Sequence, residues 1–152
     1  MSVATGDAIW FDGMLMKVLV AASDTGGSVS VIEQVHRDGY STPVHRHTRE
    51  DQTLYVLDGA IRAWLGDEEI VLTAGQAVHL PREVPHVFRV EAEGTRLLEI
   101  NTPGGFEEFH AAAGSPAAQL RLPDPAEPDI GAMVAAAADH GCEILGPPRT
   151  RD

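Results

Sequence analysis

Two histidines one residue apart, His45 and His47, and a third at His86 are the side chains in this sequence with the clearest capacity for chemistry. In a strand, side chains alternate faces, so His45 and His47 point the same way with roughly 7 Å between their Cα atoms. Two imidazoles so placed can converge on one metal ion, and a neighbouring strand can deliver the third. Gln52 offers an amide oxygen at a fourth point. Glu50 and Asp51 flank it, and Glu50 is a candidate base if the loop turns it inward; the alternative is a solvated acidic loop. Glycine and proline punctuate both stretches, as Gly39-x5-His45-x-His47-x4-Gln52-x6-Gly59 and Gly75-x5-Pro81-x4-His86.

Many short β-forming runs must hold these residues. Residues 9–22, 28–36, 52–57, 60–65, 69–72, 77–80, 86–90 and 96–100 are rich in β-formers. Turn pairs such as Asp12-Gly13, Asp38-Gly39, Asp58-Gly59 and Ala74-Gly75 separate them. Turn signals every eight to twelve residues point to an all-β sandwich or barrel. Alternation from Gln52 turns Leu54 and Val56 inward, and from His86 it turns Phe88 and Val90 inward, giving a candidate apolar pocket. After Pro103 the pattern changes. Phe106, Phe109 and Ala113 have helical spacing that Gly114 stops, with Phe106 placed to close the barrel mouth. Asp129 can cap a second helix whose apolar face is Ile130, Met133, Val134 and Ala137. Residues 1–152 are thus expected to form a single domain, with a barrel over about 9–102 and a helical tail over about 103–152.

Composition narrows the partners. At 152 residues, 43% hydrophobic and 22% charged, the chain can bury one real core. A net charge of −12 disfavours nucleic acid and anionic membranes. The longest apolar stretch, Met14 to Ala22, is broken by Lys17 and falls short of the ~20 residues of a membrane span. The N-terminal MSVATGDAIW has no basic region followed by an apolar run. A cytoplasmic location is expected. The single cysteine, Cys142, agrees with a reducing compartment and reads as a small buried residue.

The two punctuated histidine stretches resemble the paired signatures of the cupins. The resemblance implies a double-stranded β-helix, or jelly-roll barrel, followed by two short C-terminal helices. It departs at Gln52, where the family usually has a metal-binding Glu, at Glu83, usually Gly, and at Val90, usually Asn. The segments TPGGFEEF (102–109) and GCEILGPP (141–148) are similar to single-domain cupins of the quercetin 2,3-dioxygenase kind. The resemblance implies one divalent transition metal held by His45, His47, Gln52 and His86, with Fe, Ni, Co, Mn, Cu and Zn all suited to imidazole. It further implies a quercetinase-like dioxygenase with a small apolar or aromatic oxygen-bearing substrate (a flavonol, polyphenol or polyketide), O₂ as co-substrate, and a homodimer. Gln52 cannot serve as a base near neutral pH. That shifts weight toward a lyase, isomerase or cyclase using a three-histidine, one-glutamine Lewis-acid site, as in the hydroxynitrile lyases and a dienoic-acid isomerase among cupins. A non-catalytic small-molecule-binding cupin is the third reading.

Overall fold

The computed structural model describes residues 3–151. Twelve strands and two helices follow in order: β1 (Ala8–Phe11), β2 (Met14–Val20), β3 (Ser30–His36), β4 (Val44–His47), β5 (Asp51–Asp58), β6 (Ala60–Leu65), β7 (Glu68–Thr73), β8 (Ala77–Leu80), β9 (His86–Val90), β10 (Thr95–Thr102), α1 (Glu107–Ala113), β11 (Ser115–Pro116), α2 (Ile130–Asp139) and β12 (Cys142–Gly146). They form two antiparallel sheets. One has seven strands in the order β11-β1-β2-β3-β10-β5-β8, the other five in the order β12-β4-β9-β6-β7. Non-sequential neighbours such as β3-β10-β5 and β4-β9-β6 give the jelly-roll topology expected from the sequence.

Alternation decides what lies between the sheets. On β5, Gln52, Leu54 and Val56 are buried while the intervening residues are not. On β10 the buried set is Thr95, Leu97, Glu99 and Asn101. Two apolar clusters fill the interior. One, around Phe11, Met14, Met16 and Ile32, takes in Phe106 and Phe109 beside α1; the other runs from Leu54 and Val56 through Ile61, Phe88 and Leu97, and Tyr40 packs against both. Each such fully buried side chain contributes about 1.5–3 kcal/mol. The turn at Gly59 admits no side chain: its φ is +90°, and a Cβ would meet Thr95 Cα at 2.9 Å.

The tail differs from its expected form in two respects. β12 extends the five-stranded sheet, pairing Cys142 with His47 and Ile144 with His45, so strand structure continues well past residue 102. α2 begins where Asp129 caps it, its carboxylate accepting from Ala132 N at 3.0 Å. Its inward face is Met133, Ala136 and Ala137, and Ile130 and Val134 remain 59% and 44% exposed. The helix packs on α1 and β12 rather than lying flat on the barrel, which rotates the buried stripe toward the small alanines.

Candidate metal centre

His45 and His86 face each other across the single β4–β9 pairing, and His47 lies two residues along β4 on the same face. All three are buried. One nitrogen from each lies within 4.8 Å of those of the other two. The ring centroids are 4.3 Å apart for His45–His86, 5.1 Å for His45–His47 and 5.2 Å for His47–His86.

The outward nitrogens are all occupied. His45 Nδ1 is 2.7 Å from Pro43 O, His47 Nδ1 is 2.6 Å from Glu50 Oε1, and His86 Nδ1 is 3.3 Å from Val84 O. A carbonyl or carboxylate oxygen only accepts, so each Nδ1 carries the proton and each Nε2 carries a lone pair. His47 Nε2 is buried with no hydrogen-bond partner. Burial, with the neighbouring His47, pushes His45 down to about 4, and burial, with His45 and His47, holds His86 well below its ordinary range. With Nδ1 tied to an oxygen in each ring, Nε2 is the nitrogen each can offer, and three imidazole nitrogens so grouped are a donor set that suits a divalent transition metal.

Glu50 is where sequence reasoning is most in need of correction. Its carboxylate neither turns into the cavity as a base nor lies in solvent: it is buried and accepts from His47 Nδ1. The three residues from Thr48 to Glu50 carry the chain from one sheet to the other. That crossing folds Glu50 back beneath the imidazole, where it orients His47. Asp51 points away, receiving Arg82 N at 2.8 Å and forming an ion pair with the Arg82 guanidinium.

Gln52 comes from the opposite sheet, with Asn101 on one side and Leu80 on the other. Its Nε2 donates to Asn101 Oδ1 at 2.9 Å, and its Oε1 is the free end of the amide. Gln52, His45 and His86 line one cavity of about 50 Å³, walled by Leu54, Phe88, Phe106 and Met133. Val56 is not on that wall. It sits one inward position further along β5, fully buried in the second apolar cluster. Phe106 stacks edge-on to His47 at 4.5 Å, covering the cluster from the α1 side. Phe11, Asp12 and Tyr40 line both this cavity and an outer cleft bounded by residues 123–128. Tyr40 Oη donates to Asp12 Oδ2 there.

The cavity has a second polar wall that the histidine motifs do not announce. Glu99, Gln34 and His110 also line it. Glu99 is 4% exposed and accepts from Gln34 Nε2 at 2.9 Å, Asn101 Nδ2 at 2.9 Å and His110 Nε2 at 3.2 Å. Burial opposes its ionisation, but His110 and Asn101 outweigh that and hold it below the usual carboxylate range. His36 extends the network, its Nε2 donating to Gln34 Oε1 at 2.7 Å. His110 Nδ1 is buried without a partner. Strand alternation carried the signal: counting back from Asn101 on β10 puts Glu99 and Leu97 on one face, so a charged residue shares an inward stripe with an apolar one. Cys142 also borders the cavity, and burial pushes its thiol up to about 12, so it stays protonated at neutral pH.

Residues 31–101 match the family described as the cupin domain. Over 111 residues, 73% of this chain, the sequence is 28% identical to quercetin 2,3-dioxygenase of Bacillus subtilis (strain 168). Over 115 residues, 71% of this chain, it is 26% identical to quercetin 2,3-dioxygenase of Aspergillus japonicus. In both cases the match spans 33% of the relative's length. An RmlC-like cupin from Shewanella frigidimarina NCIMB 400 shares the fold, with a TM-score of 0.57 and 23% identity over 72% of this chain and 94% of that one. No helix among the described residues is long and apolar enough to cross a membrane. The domain match, the jelly-roll topology and the three-histidine cluster on β4 and β9 agree: residues 31–101 carry a cupin domain, and the chain is similar to cupins of the quercetin 2,3-dioxygenase kind.

Proposed function

We propose that this chain is a metal-dependent cupin enzyme, a dioxygenase acting on an apolar or aromatic substrate that carries an acidic hydroxyl, such as a flavonol, a polyphenol or a polyketide enol. The observation that carries this reading is the convergence of one nitrogen each from His45, His47 and His86 to within 4.8 Å of one another, with His45 and His86 lining the cavity. The likeness to two quercetin 2,3-dioxygenases supplies the reaction class. His45, His47 and His86 would hold the ion, with the Gln52 amide oxygen as fourth donor. When bound, the ion supplies Lewis acidity toward a substrate oxygen anion.

The chain's own residues do the rest. Gln52 has no proton-accepting capacity and Glu50 is committed to His47, so a proton acceptor has to come from the other groups that line the cavity, Asp12, Glu99 and His110. Glu99 receives the His110 Nε2–H, and His110 Nδ1 is buried without a partner. Leu54, Phe88 and Phe106 exclude water and give the substrate's apolar body its contacts. The cavity admits only about four waters at roughly 10–15 Å³ each. A flavonol-sized substrate therefore requires the cavity wall, which includes Phe106 and Met133, to move.

A specific observation favours a second reading, a lyase, isomerase or cyclase. The usual ligand carboxylate is an amide here, held in one orientation by Asn101, and the cavity suits a small substrate. Oxygen consumption separates the two. The chain loaded in turn with Fe, Ni, Co, Mn, Cu or Zn is offered flavonols and smaller enols in air and under strict anaerobiosis. The dioxygenase reading expects turnover with O₂ uptake in air and none without it. Anaerobic turnover moves the assignment to the second reading, and ligand binding without turnover makes the protein a binding module.

A further inference from the structure

We propose that Glu99 is the displaced carboxylate of this metal centre: acting through Asn101, it dictates which end of the Gln52 amide faces the histidines. The inference rests on the metal reading above and concerns a residue that touches none of the three histidines through a hydrogen bond. Glu99 is an acceptor only, so Asn101 must present its Nδ2 to it, 2.9 Å away; the same Nδ2 donates to Ser30 Oγ at 3.2 Å. Asn101 Oδ1 is thereby turned toward β5. An oxygen there requires a donor, so Gln52 must present Nε2 to it at 2.9 Å, and its Oε1 is left for the cavity. Two amides thus relay the polarity of one buried anion across three strand positions. Glu99 also places a negative charge on the wall facing three neutral imidazoles, where a divalent cation would otherwise meet neutral donors alone.

The relay can be reversed on paper without moving a heavy atom. In Glu99→Gln, Oε1 keeps the donors from Gln34 and His110, while the new amide nitrogen faces Asn101. Asn101 then turns its oxygen to residue 99 and its nitrogen to Gln52, and Gln52 turns its own nitrogen to the histidines. In Gln52→Glu, two carboxylates flank Asn101, and Oδ1 meets an acceptor. In the double variant every donor finds an acceptor again, and the carboxylate stands at position 52.

The test uses Co²⁺ as probe, with its visible absorption reporting coordination, and urea unfolding of the metal-free protein. Glu99→Gln is expected to weaken Co²⁺ binding about tenfold or more and to change the absorption bands, with circular dichroism unchanged. Adding Gln52→Glu to that variant is expected to restore binding to the wild-type level or tighter. In the metal-free protein, Gln52→Glu alone lowers the urea midpoint, and Glu99→Gln on top of it raises the midpoint again. Wild-type affinity and bands in Glu99→Gln, or additive effects of the two substitutions, would overturn the relay. If Glu99→Gln alone fails to fold, the double variant decides: recovery of fold and binding supports the relay, and an unfolded double variant sinks it. If the wild type takes up no Co²⁺, the metal reading fails by itself, and the unfolding cycle still judges the relay.

Discussion

On the five-stranded side of the cavity, His45, His47 and His86 group one nitrogen each; on the seven-stranded side, Gln34, Asn101 and, from α1, His110 surround the buried Glu99 carboxylate. The strand residues of both walls are placed by the same device, alternation along antiparallel strands, yet the walls are wired oppositely. Each histidine of the first wall spends its proton on an oxygen behind it and leaves a nitrogen free in front. The second wall gathers its donors inward onto Glu99, and Gln52 is the one residue of that sheet whose free oxygen is left for the first wall. The Glu99 charge is thus kept on the wall opposite the three imidazoles, while the Glu50 carboxylate lies behind His47, on its Nδ1 side.

If the first wall is the coordinating one, His47→Ala should have the largest effect of any single substitution there. It removes a donor and leaves the Glu50 carboxylate buried without its hydrogen-bond partner, which costs about 1–3 kcal/mol of stability besides. Co²⁺ affinity should fall by at least two orders of magnitude, and the urea midpoint should fall more than in His86→Ala, whose Nδ1 bond to Val84 O is long at 3.3 Å. Equal midpoints in the two variants would mean that Glu50 does not anchor His47. Glu50→Gln comes next. The amide oxygen of that variant can still accept from His47 Nδ1–H, but the charge is gone, so affinity should drop about 10–100-fold with the fold intact; calorimetric titration with Co²⁺ reads it directly.

The contrast between the walls also marks what could be read from the sequence. His45, His47 and His86 were legible because period-two alternation and glycine punctuation survive without coordinates, and Gln52 followed by counting back from Gly59. Glu50 was not legible, because its direction depends on how three residues cross between sheets, and no periodicity governs a crossing. Glu99 and Asn101 were within reach: they alternate with Leu98 and Ile100 on β10, so one stripe of that strand had to be polar. What the pattern could not supply was the partner, since Gln34 sits 65 residues away from Glu99, on β3. β12 was missed for a related reason. Its five residues become a strand only because β4 offers an edge beside them.

The second wall can be tested by acid. Burial holds His36 down to about 3 despite the attraction of Glu99, against 6.5 in the unfolded chain. Above pH 6.5 it is neutral in both states and adds no pH dependence. Below that, the unfolded chain binds a proton that the native state refuses, so stability falls as pH falls, by about 1.4 kcal/mol per unit until pH approaches 3. His36→Leu should flatten the fall by about that slope between pH 6 and 4, as followed by urea midpoints at half-unit steps. The other groups near His36 are Glu99 and Tyr40, neither of which titrates in the upper part of that window. An unchanged slope would show that His36 accepts a proton in the native state, and that this wall is less dry than its burial implies.

The smallest effect belongs to the loop that delivers His86. Glu83 stands where the cupin signature usually has glycine, and its φ is +69°, a left-handed backbone that costs a residue with a Cβ about 1–2 kcal/mol. Its side chain is exposed, and its contribution to the site is its backbone N–H, which donates to His47 O at 2.7 Å. Glycine keeps that donor and relieves the strain, but it adds about 0.5–1 kcal/mol of freedom to the unfolded chain. Glu83→Gly should therefore stabilise the protein by under about 1 kcal/mol and leave Co²⁺ affinity where it was, because the backbone that positions His47 and His86 is already in the glycine conformation. Should the variant instead lose stability, the glutamate side chain would have to be making an interaction that offsets its own strain, and the first wall would depend on more than its imidazoles and their Nδ1 partners.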